Sequence, residues 1–297
     1  MSEIEDHRSQ VVGLLGATSF VGTYLLPELE QANRSIVAFS RRNSVRPAGS
    51  VKWQTIGDGV AQPDNFEVWI PFWICLAPIA VLPEYFPMLE AYGARRVVAL
   101  SSTSCFTKEN SSDPKERDLA KSLVESEARL QAWAETRGIE WVVLRPTLIY
   151  GFGLDKNISE IARFIRRFGF FPLLGDASGL RQPIHAQDVA GACFAALRSS
   201  SVANRGYNIS GAEVLTYRDM VKRIFAVLGR SPRLISIPLW MFNLGVKLVR
   251  VLPHYRKWSG AMAERMNANM VFDHDDAKQN FGFAPRRFEL TAIDLPK

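Results

Sequence analysis

Cysteine is scarce in this chain: Cys75, Cys105 and Cys193 are the only three in 297 residues, and they lie far apart. An odd, scattered set excludes a disulfide framework, offers no metal-ligand spacing, and fits a reducing compartment. No His/Cys/Asp cluster has zinc-type spacing, so no metal is expected. The chain has no uninterrupted apolar run long enough to cross a bilayer, which takes about 20 residues. Its longest candidate, residues 68–89, is broken by Pro71, Pro78, Pro83 and Pro87 and carries Glu84, so a buried strand followed by a helix is expected there. Repeats, low-complexity linkers and the Gly-x-Ser-x-Gly turn of serve-and-hydrolyse esterases are all missing. The opening MSEIEDHRSQ is polar and acidic, without the apolar centre of a signal segment, and a cytoplasmic protein is the expectation.

What is present is a mixed-charge composition, 47% hydrophobic, with net charge +6. That describes a folded chain able to bury a large core. Apolar runs alternate with amphipathic stretches. Strands are expected at Val11–Leu15, Ser35–Phe39, Val51–Ile56, Phe72–Ala77, Arg96–Leu100 and Trp141–Leu144. Helices are expected at Phe20–Gln31, Pro83–Tyr92 and Pro114–Arg137, the last opened by Asp113 and Pro114 and closed by Gly138. This β-α rhythm builds a parallel sheet with helices on both faces. After Tyr150-Gly151 the rhythm loosens. The expected organisation is residues 1–150 as a dinucleotide-binding domain, rejoined by about 185–200, and 151–297 mainly as a smaller substrate lobe.

Between the first strand and its helix stands Gly16-Ala17-Thr18-Ser19-Phe20-Val21-Gly22. Glycine at 16 permits a tight turn, and glycine at 22 permits close helix–strand packing. The helix start then offers N–H groups and a positive dipole end to a pyrophosphate. An ordinary turn is the alternative, but the strand and helix flanking this one supply the required context. The second strand runs into Ser40-Arg41-Arg42, with no carboxylate before Asp58. A carboxylate there would bind the two ribose hydroxyls of NAD, whereas arginine accommodates a 2′-phosphate, so NADP is expected over NAD. The bland reading is a solvated basic loop.

Taken together, these segments resemble the extended short-chain dehydrogenases/reductases, the NAD-dependent epimerase/dehydratase family. Further landmarks are Gly57-Asp58, Ser101-Ser102-Thr103-Ser104, Leu144-Arg145-Pro146, Tyr150-Gly151, Arg181-Gln182-Pro183-Ile184-His185, Asp188-Val189, Phe281-Gly282-Phe283 and Pro285. The resemblance spans nearly the whole chain. It implies a Rossmann doubly wound α/β fold with a smaller C-terminal substrate lobe, and cofactor contacts at Gly16, Thr18, Ser19, Phe20, Val21, Gly22, Ser40, Arg41, Arg42, Asp58, Ala77 and Ser101. It places Ser101 and Ser102 beside the nicotinamide and the substrate, with Thr103 on the substrate side. Two departures concern the cofactor: Ser19 replaces the middle glycine, and Ala77-Pro78-Ile79 replaces the usual Asn-Ala-Gly type segment.

A third departure concerns the chemistry. The family's Tyr-x-x-x-Lys, in which the lysine lowers the tyrosine pKa and the tyrosine moves the proton, occurs nowhere in the chain. Aligning Glu127 and Leu130 with the family's helix puts Leu119 and Leu123 at those positions. Sliding by two gives Arg117 and Lys121, which restores the lysine alone. Proton carriers by sequence context are Tyr150, Lys108, Cys105 and Lys121, with Ser102 beside them. Each also has a plain reading: a lining aromatic, a loop charge, a small buried residue, a solvated helix charge. A reaction needing no strong acid, or a non-catalytic NADP-binding redox sensor or assembly partner, stays open.

On the substrate side, Arg181 and Arg265 suit a phosphate or diphosphate, since a guanidinium forms paired bonds to such oxygens. An inter-lobe salt bridge is the alternative for both. His185 reads as structural, its ring held by Asp188. Hydride chemistry on a small anionic substrate, such as a nucleotide-linked or phosphorylated sugar, is the expected activity. From Arg218 to Trp258 nine Lys/Arg face one acid, Asp219. Nucleic acid is not an expected partner, because no binding motif accompanies that charge. Pro238–Trp258, apolar on one side and basic on the other, reads as a lid, a peripheral membrane contact or a core-facing helix. A homo-oligomer is left open.

Overall fold

The computed structural model describes residues 11–41, 50–56, 69–241 and 260–296. Hydrophobic runs of five or so residues lay down β1 (Val11–Leu15), β2 (Ser35–Ser40), β3 (Val51–Thr55), β4 (Phe72–Cys75), β5 (Arg96–Leu100) and β6 (Glu140–Pro146). Between them run α1 (Phe20–Gln31), a 3-10 segment (Ile79–Tyr85), α2 (Phe86–Ala91), the short α3 (Ser104–Thr107) and α4 (Pro114–Arg137). With β11 (Arg205–Ile209) the strands form one seven-stranded sheet in the order β11-β6-β5-β4-β1-β2-β3, every pairing parallel. The fold is therefore an α/β doubly wound parallel sheet, as the alternation of strand and helix patterns requires.

Local chemistry sets the element ends. Asp113 caps α4 by accepting from Lys115 N at 3.0 Å, Pro114 occupies the first turn, and Gly138 closes it at φ +64°. The proline-broken stretch that mimics a membrane span becomes β4, whose Trp73, Ile74 and Cys75 are buried, followed by the 3-10 segment and α2. Its last strand residue is Cys75, earlier than the expected Ala77, because Pro78 cannot continue a ladder. No helix among the described residues is long and apolar enough to cross a membrane.

Two cores sandwich the sheet. One holds Val12, Leu14, Leu25 and Leu29 with Val189, Ala190, Cys193 and Ala196; the other holds Trp73, Leu82, Leu89, Leu123, Leu130 and Trp141. Cys193 belongs to α6 (Ala186–Arg198), which packs on α1 and so returns to the sheet layer. A third core gathers β7 (Ile149–Tyr150), α5 (Ile158–Phe168), β8 (Phe171–Leu174), β12 (Leu215–Thr216), α7 (Tyr217–Val227), β13 (Leu234–Ile237) and α8 (Gly260–Asn267), with β9 (Leu180–Arg181) and β10 (Ile184–His185) paired to β12 and β7. These make three two-stranded ribbons, β7–β10, β9–β12 and β8–β13, over helices α5 and α7. A last helix, α9 (Asp275–Phe281), leans back on β11, where Phe281 meets Tyr207 edge to face at 5.3 Å.

Candidate functional site

The chain order reverses on either side of β1, which is bordered by β2 and β4. Beyond the carboxyl ends of β1 and β4 such a sheet opens a crevice, where ligands of open α/β sheets bind. Gly16 stands there at φ +79°, and a Cβ on it would lie 2.5 Å from Ala77 N. Only glycine lets the turn cross the end of β4 so closely. A Cβ on Gly22 would lie 2.2 Å from Ala17 O, so the first turn of α1 also needs its glycine. Ser19 caps α1: its Oγ accepts from Gly22 N at 3.2 Å, and its carbonyl accepts from Thr23 N at 3.1 Å. The N–H groups of Phe20 and Val21 lie at the open helix end, where no helix carbonyl precedes them.

This arrangement fits a dinucleotide pyrophosphate on geometry alone. The backbone approach is clear of side chains, two N–H groups and the dipole end point outward, and the Ser19 hydroxyl keeps its proton to donate. Thr18 is exposed and Ala77 half exposed beside the turn. Arg41 is exposed where β2 ends, next to Ser40. The expected contacts at Arg42 and Asp58 lie outside the described residues, as does most of Pro238–Trp258.

At the carboxyl ends of β5 and β6, three residues lock together. Ser101 Oγ donates to Glu127, and Arg145 grips that carboxylate, Nε donating to Oε1 and Oε2 at 3.1 and 2.9 Å and Nη2 to Oε2 at 2.6 Å. Gly206 makes room for the guanidinium: a Cβ there would stand 2.7 Å from both Arg145 Nη atoms. Phe106 covers the same guanidinium at 5.4 Å. Sequence reading aligned Glu127 but missed its partners. The available signal was a charged residue among Leu123, Ser126 and Leu130 on the packed side of an amphipathic helix. Ser102 differs from Ser101: its Oγ accepts from Ser104 N at 3.1 Å and keeps its own proton. Thr103 is buried and donates to the Pro146 carbonyl through Oγ1 at 3.2 Å.

Leu119 and Leu123 occupy α4 between Glu127 and Glu116. Leu123 is buried, whereas Leu119 is 44% exposed. Lys121 lies on the other side of the helix from Leu123, nearly fully exposed and paired with Glu125 at 3.8 Å. That position corrects its expected catalytic place. Tyr150 is corrected likewise: its side chain is wholly buried between His185 and Phe288, and its hydroxyl reaches the Glu289 carbonyl at 3.5 Å. Burial, with Asp294 and Asp188 nearby, raises its pKa above the ordinary phenol value. Burial also pushes the Cys105 thiol up to about 11, which leaves it inert.

The two arginines expected to hold a phosphate have different surroundings. Arg181 is buried: Nη1 donates to the carbonyls of Leu180 and Ala268 at 2.7 and 2.8 Å, Nη2 donates to that of Arg265, and Tyr217 lies under the guanidinium. It ties β9 to the end of α8 and is not presented to a ligand, because its side chain is spent on carbonyls. Arg265 is half exposed and pairs with Glu116, which also takes Ser111 Oγ at 2.7 Å and Lys108 Nζ at 3.6 Å. Burial and the neighbouring Arg265 lower the Lys108 pKa. This cluster bridges the loop leaving β5 to the second lobe.

His185 is held by a different carboxylate from the expected Asp188. Its Nδ1 accepts from Gln187 N at 3.1 Å, so Nε2 carries the proton and donates to Asp294 at 3.1 Å. Asp188 instead takes Arg286 through N and Nε at 3.0 and 2.9 Å. Tyr24 of α1 joins the group, its hydroxyl 3.4 Å from His185 Nε2 and its ring stacked on Phe152 at 4.5 Å. All three cysteines are free and buried, and the described residues hold no group of three or more potential metal ligands.

Residues 86–210 match the model of the NAD dependent epimerase/dehydratase family. Over that segment the chain is similar to epimerase/dehydratase-family proteins. The UDP-glucose 4-epimerase of Vibrio cholerae is 21% identical over 304 residues, covering 92% of this chain and 90% of that protein. An uncharacterised protein of Sinorhizobium fredii is 26% identical over 210 residues, which span 66% of this chain but only half of that relative. Among solved structures, MoeE5 in complex with UDP-glucose and NAD superposes with TM-score 0.65 at 21% identity, covering 93% of each chain. That likeness concerns the fold, and it agrees with the seven-stranded parallel sheet. The extended short-chain dehydrogenase/reductase resemblance therefore stands on the segment match and the architecture together.

Proposed function

We propose that this chain binds NADP or NADPH in the crevice beyond β1 and β4 and exchanges hydride with a small anionic substrate, in the class of nucleotide-linked or phosphorylated sugars. The observation that carries the reading is the turn from Gly16 to Gly22, whose two glycines are sterically required and whose helix end is open. Exposed Arg41 after β2 supports the 2′-phosphate form of the cofactor. The relative from Vibrio cholerae and the MoeE5 complex support the substrate class. On this chain the cationic pair Lys108 and Arg265, sharing the single carboxylate of Glu116, is the place for a substrate phosphate; Arg181 is not.

When bound, the dinucleotide supplies or accepts the hydride. Ser101, fixed by Glu127 and Arg145, holds the strand end rigid, and Ser102 keeps a hydroxyl proton to direct at a substrate oxygen. A serine hydroxyl is a weak acid, so the proton that balances the hydride at the substrate oxygen would pass between that oxygen and solvent water through the Ser102 hydroxyl, in place of the family's tyrosine–lysine relay. A second reading, a dinucleotide-dependent sensor or assembly partner without turnover, is favoured by the two leucines at the relay positions.

Reduced-nicotinamide absorbance followed over a panel of nucleotide sugars and sugar phosphates distinguishes them. Turnover on one member, with kcat lowered roughly ten- to a hundredfold in Ser102→Ala and an unaltered fold, is the expected result. Tight NADPH binding with no turnover on any member overturns the enzymatic reading in favour of the sensor.

A further inference from the structure

The second lobe carries an exposed apolar ridge flanked by positive charge. Helix α5 buries Ile158, Ile161, Ala162 and Ile165, then ends in Arg166-Arg167-Phe168 before Gly169 closes it at φ +76°. Phe168 is 52% exposed and stacks in a tilted cluster with Phe164 at 4.6 Å and Phe170 at 6.3 Å. The ribbon β8–β13 continues from this corner. Ile235, opposite Pro172 in register, is 49% exposed, and Leu239, Trp240 and Met241 follow it, Trp240 at 68%. Leu239 stays on the ribbon, 3.3 Å from where a Cβ on Gly175 would be.

Four arginines border the aromatic corner. Arg167 lies over the Phe168 ring at 5.3 Å, and Arg230 donates to the Ile165 carbonyl at 2.8 Å. Arg166 donates to the Pro296 carbonyl, and the Arg233 carbonyl accepts from Phe171 N at 2.9 Å, which places that residue at the same corner. Among the described residues none of the four has a carboxylate partner. Glu160 is engaged with Arg163 at 3.2 Å. Asp176 is the other acidic residue of this stretch, at the far end of the ribbon.

Large apolar side chains exposed in a row are uncommon on a monomer surface and mark a contact. A two-fold contact with a second copy would bring four arginines against four arginines, and like charges oppose that. A ridge, unlike a groove, offers no pocket for a peptide. Aromatic and aliphatic tips bordered by arginine at the Phe168 end match the boundary between headgroups and acyl chains, where phosphates meet the guanidinium groups and the tips leave water.

We propose that this ridge seats the protein on the surface of an anionic lipid bilayer, Phe168, Ile235 and Trp240 entering the headgroup boundary while Arg167 and Arg233 engage lipid phosphates and Arg166 and Arg230, held on carbonyls, add positive charge beside them. The inference is independent of the hydride chemistry and rests on described residues alone. It extends the earlier expectation of peripheral contact over 238–258, of which residues 238–241 are described, to α5 and β13.

The test is co-sedimentation of the full chain with phosphatidylcholine vesicles, with and without phosphatidylglycerol, at low and high salt. Retention by the anionic vesicles only, reduced by salt, is expected. Arg167→Glu with Arg233→Glu should weaken retention by roughly several hundredfold to a thousandfold, at roughly 1 kcal/mol per basic residue near the surface and with charge reversal counting double. Phe168→Ser with Trp240→Ser should weaken it by about tenfold or more. These side chains are exposed, so the variants should keep the parent's melting temperature; brominated lipid should also quench the fluorescence of the parent more than that of Trp240→Phe. Failure of anionic vesicles to retain the chain at low salt overturns the proposal. So does retention that all four substitutions leave unchanged, or a concentration-dependent dimer, lost in Trp240→Ser, without vesicle binding.

Discussion

Two glycines and one arginine carry most of the cofactor reading, and each does so for a separate physical reason. Gly16 is needed for its positive φ and its approach to Ala77, Gly22 for the space beside Ala17 O. Both were legible in the sequence because a strand precedes them and a helix follows. Arg41 was legible as the absence of a carboxylate after β2. In Arg41→Ala, NADP binding should weaken by on the order of 1–3 kcal/mol while NAD binding stays unchanged, as titration of each dinucleotide would show. Equal small losses for both would make Arg41 a surface charge. Other residues were misread because sequence spacing carries no information about long-range partners. Arg181 looked like a ligand for an anion, yet the main chain around α8 takes its donors. The partner of His185 is 109 residues away rather than three, and no local pattern announces such a contact.

Elements were more legible than residues. Helices α1 and α4 run over the expected spans: both have a side-chain cap that agrees with the apolar period, and α4 adds proline at the first turn and a closing glycine. The second half was expected as a smaller substrate lobe on a loosening of rhythm, without its individual strands. Its strands are two to four residues long and make paired ribbons, too short for an alternating pattern to show. One short element there holds the chain's end to its centre. Asp294, buried in a 3-10 turn, accepts from Thr291 N and Oγ1 at 2.9 and 2.7 Å and from His185. Burial alone would raise its pKa, but the hydrogen bonds from His185 and Thr291 prevail and hold it below the ordinary 3.8. A depressed carboxylate pKa means stability that is present above the unfolded value and lost as pH falls through the folded one. Asp294→Asn should cost about 2–4 kcal/mol in chemical denaturation near pH 7, and the gap from the parent should close towards about pH 3. A constant difference across that range would mean that the carboxylate's charge contributes nothing.

At the scale of the molecule, a parallel sheet places every chemistry-bearing loop at one edge, and the C-terminal lobe stands against that edge. The Gly16–Gly22 turn, the Ser101–Glu127–Arg145 lock and the Lys108–Glu116–Arg265 bridge all gather around it, while the arginine-bordered ridge belongs to the second lobe. Such a division would let a membrane-seated lobe leave the dinucleotide crevice open to solvent. The account depends first on that crevice binding its cofactor. Calorimetry of the parent and of Gly16→Val with NADP, NADPH, NAD and NADH tests this most directly. Saturable heat with the phosphorylated pair, lost in a Gly16→Val variant that keeps its circular dichroism, is the predicted result. No heat from the parent with any of the four, or a Gly16→Val variant that binds as the parent does, would contradict it.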